Sequence, residues 1–128
     1  MLPITGLYTA LIIFLALVLT LRVIAVRRSH KISIGDGGIE MMTKRIRAHA
    51  NLLETAPLFL VAFAVLELNG ASPMWLYPLG TLFVLARILH ALGLSQDGPS
   101  KFRFYGMLLT VIAMVIVAVY VLVQSLLL

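Results

Sequence analysis

Residues 47 to 66 read "RAHANLLETAPLFLVAFAVL", a polar and partly charged string that runs directly into nine uninterrupted apolar residues. The apolar half, from Pro57 to Leu66, has the character of a membrane span. The polar half carries Arg47, His49, Asn51 and Glu54 against it. A chain that does this is taking ionisable groups into a bilayer.

The surrounding sequence sets the class. Of 128 residues, 62% are hydrophobic and only 12% are charged, whereas about a quarter of the residues in soluble domains are charged. The mean hydropathy is +1.08. Apolar runs long enough to span occur four times, and the spacing predicts helices over about 4–28, 41–68, 74–94 and 103–127. Almost nothing lies between them, so a single membrane domain over 1–128 is expected. The first run has no basic segment ahead of it, exceeds the usual apolar length of a secretory signal and lacks a small-residue cleavage site, so it is expected to remain as a helix.

There are no cysteines. Disulfides and cysteine-ligated metal are excluded, and any thiol chemistry would need a thiol brought by a ligand. His30 and His49 show no metal spacing with a carboxylate, so no metal site is expected. The net charge of +5 does not imply a nucleic-acid partner, because the basic residues lie beside spans and form no separate basic domain. They report orientation instead. The connection after the first span carries Arg27, Arg28, Lys31, Lys44, Arg45 and Arg47, and that after the third carries Lys101 and Arg103. "ELNGASP", between spans two and three, has neither lysine nor arginine, and nor do the termini. The positive-inside bias puts the first and third connections in the cytoplasm and both termini outside.

"SIGDGG" (33–38), "NGASP" (69–73) and "SQDGPS" (95–100) supply turn chemistry at the three connections. Connections this short make neighbours antiparallel, so the expected fold is all-α, an up-down bundle of four transmembrane helices.

Residues three, four and seven apart share a helix face. Arg47, Asn51 and Glu54 form one stripe on helix two, Arg87 and His90 share a face on helix three, and Arg103 opens helix four. All lie toward the basic end. A charge inside a span costs about 2.5–3.5 kcal/mol even on the lenient insertion scale, so these stripes turn inward, toward another subunit or toward a wet cavity. Pro57 also frees the Leu53 carbonyl beside Glu54.

Taken singly, each residue has a plainer reading. Glu54 with Arg47 or Arg87 reads as a structural ion pair, and His90 as a polar residue satisfied between helices. Arg27, Arg28 and Arg45 read as topology determinants, and Pro57 as a tolerated kink. Together they do not balance. Arg47, Arg87 and Arg103 face one intramembrane carboxylate, Glu54, with His49, His90 and Asn51 as neutral company. A cationic surplus at one depth implies a missing anion, such as a ligand bearing carboxylates.

"RAHANLLETAP" resembles the helix-two signature of the MAPEG superfamily, the membrane-associated proteins of eicosanoid and glutathione metabolism. "RVIAVRRSHKI" (22–32), "RILHALGL" (87–94) and "GPSKFRFYGM" (98–107) resemble further family segments in the same order. The resemblance implies a homotrimer of four-helix subunits with glutathione bound between neighbours near the cytoplasmic face. It implies that Arg47, Asn51 and Glu54 hold glutathione, the arginines taking its carboxylates and the glutamate its amino group. Arg87 and His90 correspond to glutathione-binding positions on helix three, and Arg27 and His49 to positions that reach the ligand from the adjacent subunit. Arg103 resembles the catalytic arginine that stabilises the thiolate; a guanidinium there lowers a thiol pKa from about 8.5 toward neutrality. The implied partners are a second and third copy, membrane lipid and a lipophilic electrophile from the bilayer.

The chain also departs from the pattern. Leu94 stands where several eukaryotic members have a ligand-contacting tyrosine, Phe104 where the prostaglandin branch has serine, Ala50 where that branch has another arginine, and Thr55 where the leukotriene branch has tyrosine. The expected activity is therefore that of a divergent bacterial glutathione transferase or peroxidase and not eicosanoid synthesis. Two other classes stay open: a non-catalytic membrane scaffold or partner-binding subunit, and a small multidrug-type transporter built on Glu54.

Overall fold

Proline, serine and glycine set the limits of the elements. The computed structural model describes residues 1–96 and 99–127, and among these it holds four helices and no strand: α1 Pro3–His30, α2 Glu40–Leu68, α3 Pro73–Gly93 and α4 Lys101–Leu127. Asp97 and Gly98, part of the third turn expected from sequence, lie outside the described residues. Pro3 and Pro73 open their helices, where a missing N–H is harmless, and Ser72 Oγ caps α3 by accepting from the Met74 amide at 3.3 Å. α1 ends on Lys31 in the left-handed region, φ 54°.

The turn that follows depends on glycine. Gly37 has φ 61° and Gly38 φ 72°, conformations that a side chain resists. Asp36 then ties the turn to α2, its carboxylate accepting from the Gly38 amide at 2.9 Å and the Thr43 hydroxyl at 2.8 Å. These bonds hold the Asp36 carboxyl below its usual range, the Gly38 amide contributing most.

All four helices are long and apolar enough to cross a membrane. The chain is an integral membrane protein. Much of its surface is large and apolar, as at Phe14, Leu58, Val61 and Phe104, which is the surface a bilayer requires. α2 and α3 run unbroken through Pro57 and Pro78.

Around the bundle the order is α1, α2, α4, α3. α2 and α3 also meet across the middle, while α1 and α4 do not touch among the described residues. The core is aromatic. Phe59 of α2 stacks on Phe83 of α3 with centroids 3.8 Å apart, Phe63 continues the stack, and Tyr8 of α1 meets Phe63 edge-on. The Tyr8 hydroxyl donates to the Tyr77 carbonyl at 2.7 Å and also bonds Thr81 Oγ1 at 2.8 Å, and its ring lies flat over Gly80. α4 buries a narrow stripe, Gly106, Thr110, Ala113 and Val117. Small residues at that spacing let backbones approach closely in lipid.

The two ends differ in charge. The ends of α1 and α3 and the starts of α2 and α4 lie together, and every lysine and arginine belongs to that half. At the other end the anchor is acidic. Glu67 accepts from the Ile4 amide at 2.8 Å and the Thr5 amide at 2.6 Å, satisfying two donors that the first turn of α1 leaves without partners, at its positive dipole end. Glu67→Ala is expected to destabilise the protein by about 0.5–2 kcal/mol, the range for lost helix caps. Glu67→Gln, which keeps one acceptor, should cost less. Thermal unfolding in detergent reads both.

Candidate functional site

At the basic end, α2, α3 and α4 enclose a cavity of about 920 Å³. Its polar side comes from the first turns of α2 and the last turn of α3, with Arg47, Asn51 and His90 in the lining, and α4 adds Arg103. Its other wall is the outer face of α4, with Phe104, Met107, Leu108 and Val111. That wall is exposed along its length. One cavity therefore presents charge at the membrane surface and an apolar face toward the bilayer.

Two glycines fix this wall. A Cβ on Gly106 would meet the His90 backbone and, at 2.9 Å, the Ala86 carbonyl; one on Gly93 would meet the backbone of Arg103. α3 and α4 are thus in main-chain contact on either side of the site, which sets where Arg103 stands relative to His90.

Behind the lining lies Arg87, 1% exposed. Its Nη2 donates to Asn51 Oδ1 at 2.6 Å and to His90 Nδ1 at 3.2 Å, and its Nη1 donates to Thr110 Oγ1 at 3.3 Å; Nε has no partner among the described residues. Thr110 passes its own proton to the Gly106 carbonyl at 2.7 Å. A guanidinium has no lone pair to offer, so His90 Nδ1 must be the acceptor and the ring carries its proton on Nε2. Arg87 is a positioning residue: it orients the Asn51 amide and selects the His90 tautomer. Among the described residues no carboxylate pairs with it. Its charge has no counterion among the described residues.

The residues singled out from sequence fall into three places. Arg47, Asn51, His90 and Arg103 come together in the cavity lining, with Arg87 one layer behind. Glu54 lies deeper on the same face of α2 and reaches Arg47 at 3.7 Å, each side chain 56% exposed. Arg27 and His49 stand apart. Arg27 donates to the Ser33 and Gly35 carbonyls and braces the first connection. His49 bonds Thr20 Oγ1 between α1 and α2 at 3.0 Å. Of the departures noted above, Leu94 and Phe104 line the cavity.

The sequence reading passed over Thr110, although it is the only polar residue between Gly106 and Tyr120, and an isolated hydroxyl in an apolar span was a usable signal. It also passed over Glu67 as a partner, because its two bonds join residues 63 and 62 positions apart and leave no local pattern.

The Arg103 guanidinium has no protein partner among the described residues. Among those residues Arg47 is held only by a long ion pair. The cavity thus has spare cationic donors at one end, fixed neutral donors on its floor and a hydrocarbon-like wall, a combination suited to an anion that also meets a lipophilic partner.

The inner membrane protein YecN of Escherichia coli K12 is 28% identical over 90 residues, 70% of this chain and 69% of that protein, and YecN of the O6:H1 strain matches to the same extent. The MAPEG family model matches residues 5–123. The chain belongs to the MAPEG family.

Proposed function

We propose that the protein is a glutathione-dependent transferase or peroxidase that activates the glutathione thiol against lipophilic electrophiles. The observation that carries this reading is the divided cavity, with unspent guanidinium donors on one side and a bilayer-facing apolar wall on the other. The polar groups in and beside it fit the tripeptide. Arg47 and Arg103 suit carboxylate or thiolate charge, Glu54 suits an ammonium, and Asn51 and the His90 Nε2–H suit the peptide groups. The cavity volume of about 920 Å³ lies within the usual 300–1,000 Å³ of ligand sites. Bound glutathione would supply the thiol that this cysteine-free chain lacks. Arg103 holds negative charge at the sulfur, Arg47 and Glu54 orient the polar ends, and the α4 wall admits the electrophile from the bilayer.

The proposed assembly is a homotrimer. Glu54 stands at the middle of the 29-residue α2, with its side chain half exposed beside Arg47. Hydrocarbon does not tolerate that pair, so a second copy is needed to cover it. Arg27 and His49, which lie outside the chain's own cavity, are then placed to serve a neighbour's. The basic end faces the cytoplasm and both termini face the periplasm, in the inner membrane where the relatives' name places them.

Glutathione should raise the unfolding temperature of the purified protein, and Arg47→Ala should reduce that effect. A ligand at 100 times its dissociation constant contributes about 2.7 kcal/mol. If high millimolar glutathione shifts neither protein, glutathione is not the ligand.

A further inference from the structure

The contact between α2 and α3 divides the basic end of the bundle in two. The α2–α3–α4 half holds the cavity; the α1–α2–α3 half holds a second cationic cluster. There Arg22 Nη2 and Arg45 Nη1 donate to the same atom, Ser95 Oγ, each at 3.0 Å. That hydroxyl is fully used, because its own proton goes to the Ala91 carbonyl at 2.9 Å and its two lone pairs take the two guanidiniums. Each guanidinium carries five N–H donors and spends one of them on the protein among the described residues. Neither pairs with a carboxylate among those residues. Beside them opens a hollow of about 350 Å³, lined by Arg45, Ser95, Met41 and the Glu40–Lys44 ion pair. Two like charges converging on one neutral oxygen, both partly buried, favour an acid with several oxygens. Guanidinium forks match phosphate in this way.

Depth selects the kind of phosphate. α3 has 21 residues, about 31 Å at 1.5 Å per residue, which equals the hydrocarbon thickness of about 30 Å. Its ends therefore mark the edges of the hydrocarbon, and Ser95, two residues beyond, stands at headgroup level. Leading back into the bilayer from Ser95, Leu92, Ile88 and Leu85 follow at intervals of three, four and three on one face of α3, all exposed. They form an apolar track below the cluster, suited to an acyl chain.

We propose that Arg22, Arg45 and Ser95 form a binding site for the phosphate of an anionic phospholipid, separate from the thiol-ligand cavity and independent of it. The test is native mass spectrometry of the full-length, detergent-purified protein titrated with phosphatidylglycerol or phosphatidylcholine, without glutathione. Wild type should retain phosphatidylglycerol at about tenfold lower concentration, because the two phosphodiesters are alike but choline brings an ammonium beside the two guanidiniums, and the preference should weaken as salt rises. The double substitution Arg22→Gln and Arg45→Gln keeps amide donors for Ser95 and should abolish the preference. Arg28→Gln, at an exposed arginine of the same end, should retain it. Equal retention of the two lipids by wild type, which requires no variant, overturns the proposal. So does a full preference in the double variant. Displacement of the lipid by millimolar inorganic phosphate would overturn the lipid as occupant.

Discussion

Arg103→Ala is expected to lower glutathione-dependent turnover by about 10²–10³-fold, the loss typical when one preorganised charge-stabilising donor is removed. Binding should change much less. Arg47, Asn51 and Glu54 lie on α2, and the fixed pair His90 and Arg87 on α3, so the contacts proposed for the body of the ligand survive the substitution. The Arg103 guanidinium has no protein partner among the described residues, so its removal breaks no internal bond and should leave the unfolding temperature nearly unchanged. The defect should then appear in the pH profile. With the cation gone, the thiol returns toward its free pKa of about 8.5, and the rising limb of the rate moves to higher pH. Arg103→Lys, which restores the charge without the planar fork, should recover part of the rate. An unaltered rate and pH profile in Arg103→Ala would remove this arginine from the chemistry and favour a non-catalytic role for the polar layer.

How much of this was legible in the sequence depends on which physical signal a residue leaves. The four helices are plain because burial in lipid demands long apolar runs, and the limits expected from sequence fall within a few residues of those observed; α4 starts at Lys101 and not at 103. The convergence of Arg47, Asn51, His90 and Arg103 was readable because charge inside a span is costly and helical spacing fixes the face. The layer order was not readable. Helices that are apolar on every side show no preferred face, so nothing in α1 or α4 announces that these two stand farthest apart. Arg87 looked like one more ligand arginine, since spacing alone cannot separate a side chain lining a cavity from one a layer behind it. The role of Glu67 at the start of α1 was hidden for the same reason that tertiary contacts usually are. The better signal in α4 was size: Gly106, Thr110, Ala113 and Val117 are smaller than most of their neighbours and mark the buried stripe that hydropathy conceals.

That stripe leads to the largest structural effect. Gly106→Val is expected to destabilise the protein by at least the 1–3 kcal/mol typical of overpacking and to abolish glutathione-dependent stabilisation as well. A Cβ at position 106 would fall on the His90 backbone and 2.9 Å from the Ala86 carbonyl. Those are main-chain atoms, so no rotamer change relieves the contact and the helices must separate. Separation draws Thr110, one turn along α4, away from Arg87, and the 3.3 Å bond between them is lost. Arg87 would then have one neutral partner fewer for a charge that has no counterion among the described residues, and its hold on Asn51 and His90 would loosen. Stability and ligand binding should therefore fall together, unlike the Arg103 variant, in which only chemistry fails. Gly6 provides the control. It is also helical, but no atom lies within 4 Å of its missing Cβ. Gly6→Ala should be neutral or should stabilise by up to about 0.5–1 kcal/mol, the usual helix penalty of glycine. A Gly106→Val protein with wild-type unfolding temperature would show that α3 and α4 do not meet backbone to backbone at this site, and the placement of Arg103 beside His90 would fall with it.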